Sequence, residues 1–169
     1  GMDGIPEDFC FDALPDHFSH FEPVLNKAIA RFPELADAGI NLFFNGPESF
    51  TPDDRYLLGP TPEAENLFVA CGFNSIGIQS SGGAGKVLAE WMRHGKPPMD
   101  LWDVDVRRTF MFQSQQDFLY ERTKESLGLL YDMHWPHRQY ATSRNIRLSP
   151  LHDVALEQGA VMGELAGWE

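Results

Sequence analysis

Apolar residues fall at Phe21, Val24, Leu25, Ala28, Ile29 and Phe32. The spacing i, i+3, i+4, i+7, i+8, i+11 belongs to one face of a helix. Pro23 suits the first helical position and Pro33 a stop, so a helix is predicted from about Pro23 to Phe32. Residues 2–19 ahead of it are rich in Pro, Asp and Phe without a period and read as an extended lead-in. A turn over Glu34–Ala38 closes at Gly39, a residue suited to a C-terminal cap. Short apolar runs then predict strands at Ile40–Phe44, Arg55–Leu58 and Leu67–Cys71, the second following the turn signal Thr51-Pro52-Asp53-Asp54. Ala84, Val87, Leu88, Trp91 and Met92 restore the helical period. They predict a helix over about Gly83–His94, ended by Gly95-Lys96-Pro97-Pro98.

Composition and period change beyond Pro98, which divides the chain into segments 1–98 and 99–169. Leu101–Phe112 alternates weakly and fits a strand or a loop. Gln116–Tyr131 is predicted helical, with Tyr120, Thr123, Leu127, Leu130 and Tyr131 on one side. Met133–Pro150 has no assignable period. Leu151–Gln158 predicts a short helix with Gly159 just past its end, and Ala160–Leu165 a strand. The fold class is α+β.

Between the third predicted strand and the second helix, residues Ser75–Gly85 hold Gly77, Gly82, Gly83 and Gly85, with Ser80 and Ser81 among them. Strand, glycine-rich bend and helix start together let backbone N–H groups approach a ligand, and the helix N-terminus adds partial positive charge. Close packing of helix on sheet is a second reading of the same glycines, and spacing alone does not choose. The stretch is neither G-x-G-x-x-G nor a phosphate-binding P-loop, since Gly85-Lys86 is followed by Val87 rather than a hydroxyl.

Charge narrows the classes. The chain has 169 residues and a net charge of −12, which argues against nucleic acid and anionic membrane surfaces as partners. No apolar run approaches the length of a bilayer span, and the acidic N-terminus lacks the apolar core of a signal peptide. Cys10 and Cys71 lie far apart. Cys71 ends an apolar run and is expected as a buried thiol of a reducing compartment. His134-x2-His137 is broken by Pro136 and lacks companion ligands, so no metal is expected. In so acidic a chain, Arg107-Arg108 and Arg144-x2-Arg147 are expected in internal ion pairs. His17 and His20 are expected at the surface. Asp16, Asp53 and Asp54 are expected to serve turns.

Several blocks in order resemble a known family. Gly46-x4-Thr51-Pro52-Asp53, Tyr56-Leu57-Leu58-Gly59, Asn66-Leu67-Phe68-Val69-Ala70-Cys71-Gly72 and Gly77-x5-Gly83-Ala84-Gly85-x2-Leu88-Ala89 are similar to the C-terminal part of D-amino-acid-oxidase-type flavoproteins. GPESFTPD at 46–53, GFNSIG at 72–77, HGKPP at 94–98, DVRR at 105–108, YERTKES at 120–126, RLSPLHD at 147–153 and AGWE at 166–169 resemble the dimethylglycine and sarcosine dehydrogenase group.

The resemblance implies a fragment. Its first part (1–98) is a partial D-amino-acid-oxidase-type sheet-and-helix segment, and its second (99–169) an incomplete, smaller mixed α/β central domain. It implies FAD in the full-length parent, none bound to the fragment, and tetrahydrofolate through an absent C-terminal domain. The implied reaction oxidises the CH–NH bond of an N-methylated amino acid, a small-molecule amine, with the fragment inactive alone. By position, Gly77, Ile78, Gln79, Ser81, Gly82 and Gly83 line the flavin. Gln79 and Glu48 stand where related oxidases carry a Lys and an Arg that hold the substrate carboxylate, so Glu48 is expected instead to face a cationic amine or to be a solvated carboxylate. The same blocks also resemble the regulatory subunit of pyruvate dehydrogenase phosphatase, so a non-catalytic regulatory role is the alternative. The expected location is the cytoplasm, or the mitochondrial matrix in a eukaryote. Sheet edges left without their partners predict self-association.

Overall fold

A computed structural model describes residues 8–10, 12–133, 135–136, 138–165 and 167–169. The chain forms two compact units, Gly1–Glu48 and Ser49–Glu169. In the first, helix α1 spans Phe18–Arg31 and a 3-10 turn spans Pro33–Ala36. The helix begins five residues before the predicted start, with Pro23 inside it. Pro23 lacks the N–H that would reach back one turn, but so near the N-terminus that omission removes a single hydrogen bond. Phe18 and Phe21 meet Phe43 at ring-centre distances of 6.2 and 5.6 Å. The lead-in is tied by the Leu14 N–H donating to the Asn45 carbonyl (2.7 Å) and the Asn45 amide donating to that of Pro15 (2.7 Å). The predicted strand Ile40–Phe44 does not form. No strand pairs with it among the described residues, and Ile40, Leu42 and Phe44 remain exposed.

In the second unit, β1 (Leu57–Pro60) and β2 (Phe68–Cys71) make an antiparallel pair, with Leu57 opposite Cys71 and Pro60 opposite Phe68. β1 starts two residues later than predicted because the Arg55 carbonyl is taken by side chains. It accepts from Arg108 Nη2 (2.6 Å) and from the Thr51 hydroxyl (3.0 Å). On the far side of β1, the Leu58 N–H donates to the Val104 carbonyl (2.8 Å). The run 101–112 therefore resolves into turns, one bridge at Asp105 and 3-10 turns at Val106–Arg108 and Met111–Ser114. Cys71, expected buried, is exposed, because β2 ends with Ala70 and Cys71 both uncovered.

Helix α2 spans Gly77–His94, six residues longer at its start than predicted. It ends as the sequence predicts, at Gly95, whose left-handed φ of 68° lets its N–H cap Trp91 (2.8 Å). Trp91 packs against Gly59, where a Cβ would stand 2.7 Å from the indole and where φ is +114°. That contact seats the helix on the hairpin.

Helix α3 spans Gln116–Leu129 and α4 His152–Glu157. Both fall inside their predicted ranges. The face α3 buries is not the one the apolar pattern picks out. Phe118, Arg122 and Ser126 point inward, while Tyr120, Leu127 and Tyr131 are exposed. Charge pairing makes this possible. Arg122 lies 2.6 Å from Glu164 and stacks on Phe118 and Tyr140. Among the described residues, the buried apolar set is only Leu58, Ala84, Trp91 and Phe118. Paired charges fill much of the remaining interior.

The predicted strand Ala160–Leu165 reduces to one bridge, Leu165 to Trp168. The tail is clamped instead. Arg144 grips Glu169 bidentately (2.9 and 2.6 Å), and Arg147 lies 4.4 Å from the Trp168 ring. The Arg144 hydrogen bonds pull the Glu169 carboxyl down to about 2 against the opposing effect of burial, with the Asn145 N–H assisting. A depressed carboxylate stabilises the fold above its unfolded value near 4.5, and this contribution is lost as pH falls towards 2. Glu169→Gln is therefore expected to be less stable at pH 7 and to lose less stability between pH 5 and pH 2. Denaturant melts at both ends of that window check it.

Candidate functional site

The site begins at the turn that launches α2. Gly72, Asn74 and Ser75 all have left-handed φ, of 65°, 49° and 64°. Gly72 is required there, since a Cβ would meet Thr51 Cγ2 at 2.7 Å. Asn74, at 1% exposure, locks the turn. Its Oδ1 accepts from the Thr51 N–H (2.8 Å), and its Nδ2 donates to the Gly72 carbonyl (2.7 Å) and to Thr51 Oγ1 (3.1 Å). Ser80 N–H then donates to the Ile76 carbonyl (3.0 Å) and the helix is under way.

So residues 77–83 are not a bend. They are the first two turns of α2, because the reversal is complete by Ile76. The N–H groups of Gly77, Ile78 and Gln79 have no acceptor within the helix. The N-cap residue, Ile76, supplies no side-chain cap to them, and the first turn holds no acidic residue. The partial positive charge of the N-terminus is thus uncompensated by the helix itself.

The expected flavin-lining residues Gly77, Ile78, Gln79, Ser81, Gly82 and Gly83 all lie in these two turns. Ile78, Ser81, Gly82, Gly85, Ala89 and Met92 follow helical spacing and form one exposed face, with Ile78 at 92% exposure. The opposite face carries Ala84 and Trp91 into the interior. Close helix-on-sheet packing does not account for the glycines on the outer side. A Cβ at Gly82, Gly83 or Gly85 would meet nothing within 4 Å. Each glycine costs roughly 1 kcal/mol of helix stability relative to Ala, and no neighbour among the described residues requires it. Gln79 is exposed in the second unit, and Glu48 is exposed at the end of the first.

A second constellation braces the turn. Arg108, 7% exposed, meets Asp53 through Nε–Oδ2 (2.9 Å) and Nη2–Oδ1 (3.0 Å) and donates to the carbonyls of Arg55, Tyr56 and Asp105. Arg107 pairs with Asp105 (2.6 Å). Burial alone would raise the Asp105 carboxyl, and the Arg107 hydrogen bonds outweigh it and lower it. The arginine pairs 107–108 and 144 are thus in internal ion pairs, as their acidic context predicts. Asp53 also serves its turn, accepting from the Arg55 N–H (3.2 Å). His17 and His20 are exposed and stacked at 5.8 Å. Thr51, Asn74 and Ser126 stand in the sequence only within the turn signal at 51–54 and the resembling blocks at 46–53, 72–77 and 120–126, none of which gives them a role at the site.

A cavity of about 460 Å³ opens beside Asp53, Asp54, Trp135, Tyr140 and Glu164. Its arginines are engaged, Arg55 with Asp103 and Arg138 with Asp132. Burial, and then the charges of Asp54 and Asp53, raise the Tyr140 phenol. Among the described residues no group of three or more His, Cys, Asp or Glu could hold a metal ion. His134 and His137 lie outside the described residues. No helix among the described residues is long and apolar enough to cross a membrane.

Residues 3–91 match the family described as FAD dependent oxidoreductase, and residues 94–149 the FAD dependent oxidoreductase central domain. The chain is 50% identical over 159 residues to 4-methylaminobutanoate oxidase (formaldehyde-forming) of Paenarthrobacter nicotinovorans, covering 94% of this chain and 19% of that protein. It is 40% identical to the mitochondrial pyruvate dehydrogenase phosphatase regulatory subunit of Mus musculus, covering 92% and 18%. It is 38% identical to mitochondrial sarcosine dehydrogenase of the same organism, covering 98% and 18%. The chain spans about a fifth of the length of these curated relatives.

Proposed function

We infer function from one premise: this chain belongs to the FAD dependent oxidoreductase family, with an adjoining part of that family's central domain. Its relatives include flavin-dependent oxidoreductases acting on N-methyl amino compounds. We propose that it is the flavin-edge segment of a longer enzyme that oxidises the C–N bond of an N-methylated amino acid. The observation that carries this reading is the exposed start of α2: N–H groups at Gly77, Ile78 and Gln79 with no helical acceptor and no cap from the Ile76 side chain, then glycines at 82, 83 and 85 with no described residue beside them. A flat, electron-rich ring edge suits that surface, because small residues allow close approach and the helix start favours negative charge.

FAD, when bound, supplies hydride acceptance from the N-methyl carbon. The chain's own residues supply orientation and electrostatics. Gly77, Ile78 and Gln79 offer backbone donors, and Ser81, Gly82 and Gly83 offer a smooth contact. The Ser81 hydroxyl donates to the Ile78 carbonyl (2.9 Å), so its proton is already engaged on the helix backbone. Gln79 is a neutral amide in place of a cation, so it suits a hydrogen bond to substrate rather than a charge clamp. Glu48 is assigned to the substrate ammonium. In the full-length protein, Glu48→Gln is expected to raise KM for the amine about tenfold with kcat little changed, the signature of lost ground-state binding. Steady-state kinetics with sarcosine and 4-methylaminobutanoate check it, and an unchanged KM removes Glu48 from the site.

The division between flavin segment and central segment is assigned to the stretch ending at Gly95–Pro98, a reading supported by the change from one family match, ending at residue 91, to the other, beginning at residue 94. Folate use through a segment outside this chain, inactivity of the chain alone and a cytoplasmic or mitochondrial-matrix location belong to the same proposal. The open face of α2 and the exposed end of β2 favour self-association of the isolated chain. Light scattering is expected to give a mass above 19.1 kDa. A single monomeric mass at high concentration contradicts this. The higher identity to the oxidase, 50% against 40%, weighs against the purely regulatory role. The test of the reading as a whole is the visible spectrum of the full-length protein. Flavin bands that bleach when an N-methyl amino acid is added anaerobically support it. A colourless full-length protein overturns it.

A further inference from the structure

The most thoroughly buried polar cluster in the second unit is not at the exposed helix face but directly behind it. Thr51, Asn74 and Ser126 are 4%, 1% and 0% exposed. They come from three separate places: the turn before β1, the turn before α2, and the middle of α3. Burying polar groups costs free energy unless each is satisfied. These are satisfied by one another. Thr51 spends its N–H on Asn74 Oδ1 (2.8 Å), its hydroxyl proton on the Arg55 carbonyl (3.0 Å) and its hydroxyl lone pair on Asn74 Nδ2 (3.1 Å). Its carbonyl accepts from Ser126 Oγ (3.3 Å). The Asn74 N–H donates to the Ser49 carbonyl (3.2 Å), so both its backbone and its side chain grip the 49–51 segment.

We propose that Asn74 is a positioning residue for the flavin-facing start of α2, and that Ser126 extends its hold to α3, so that the orientation of the Gly77–Gln79 donors is set from the central segment. This rests on the reading of the α2 face given above. Only Ser75 and Ile76 separate Asn74 from Gly77, so any movement of the turn carries the first helical donors with it. An apolar residue could fill the same space but could not satisfy the Gly72 carbonyl or the Thr51 N–H. A left-handed φ of 49° also restricts the choice to residues such as Asn and Gly. The carboxamide is the side chain that meets both demands.

Two variants separate the demands. Asn74→Gly keeps the φ and removes the hydrogen bonds, and Ser126→Ala cuts the link to α3. Amide hydrogen exchange is measured on the chain itself. In Asn74→Gly, the N–H groups of Ser80, Ser81 and Gly82 are expected to exchange at least about tenfold faster, while those of Arg93 and His94 at the far end of α2 do not change. Ser126→Ala is expected to shift the same amides in the same direction by a smaller factor. In the full-length protein, Asn74→Gly is expected to weaken flavin about tenfold and to shift its visible bands. Unchanged exchange at 80–82, or equal acceleration throughout α2 and α3, overturns the positioning role, because it makes the cluster a general stability element. If the full-length wild type holds no flavin, the reading of the face fails, and the exchange result still decides whether Asn74 orders the helix start.

Discussion

Replacing Arg108 with Leu is expected to lower the stability of the second unit by about 1–3 kcal/mol, the range for leaving buried acceptors without their donor, since Asp53, the charge left behind, is 35% exposed and partly solvated. Leu fills part of the space but leaves much unanswered. Asp53 loses its two hydrogen bonds from Arg108, at 2.9 and 3.0 Å, and keeps the one from the Arg55 N–H, while the carbonyls of Arg55, Tyr56 and Asp105 lose their guanidinium donors. The Arg55 carbonyl keeps only the Thr51 hydroxyl. The buried apolar set is small, so little else in the unit compensates. Asp53→Asn is expected to cost less, since an amide retains one acceptor for Arg108. Urea unfolding followed by tryptophan fluorescence checks both, with the midpoint falling and the slope unchanged. Trp91 is a useful reporter because it is buried on Gly59 with Arg107 over its ring at 5.5 Å.

The second large effect has opposite signs in two settings. Gly82 faces open space, so Gly82→Leu is expected to leave the isolated chain as stable as before or more stable by up to about 1 kcal/mol, the helix-propensity gain. In the full-length protein the same side chain would occupy the surface assigned to the flavin. Overpacking of about 1–3 kcal/mol corresponds to flavin held roughly 10- to 100-fold more weakly. Thermal melts of the chain and flavin titration of the full-length apoprotein measure the two halves. If packing inside the chain were the reason for Gly82, the isolated chain would be destabilised instead.

The elements legible in the sequence were those whose periodicity is local. The existence of α1 and α3 comes from helical spacing, α4 from a short run stopped at Gly159, and the end of α2 from Gly95-Lys96-Pro97-Pro98. What could not be read required distant partners. Ile40–Phe44 has strand composition but no ladder to join. Arg55 looks like strand, yet Arg108, far along the chain, takes its carbonyl. The inward stripe of α3 is Phe118, Arg122 and Ser126, which no apolar pattern selects. The start of α2 was misjudged because glycines at 77, 82 and 83 read as a bend, whereas the left-handed residues 72, 74 and 75 complete the reversal earlier. At the candidate site, the glycine-rich run falls in the first turns of α2 rather than in a bend ahead of it, and the free backbone donors follow from where that helix begins. The buried Thr51–Asn74–Ser126 cluster behind it was invisible, because single polar residues in three distant segments carry no pattern.

The central claim is that the first two turns of α2 lie against the flavin. Amide hydrogen exchange of the full-length protein, with FAD bound and after its removal, tests this most directly. The N–H groups of Gly77, Ile78 and Gln79 have no helical acceptor, so without flavin they exchange freely. With flavin bound, strong protection confined to residues 77–83 is predicted. Equal exchange at 77–83 in the two states, with the flavin demonstrably bound, contradicts the claim.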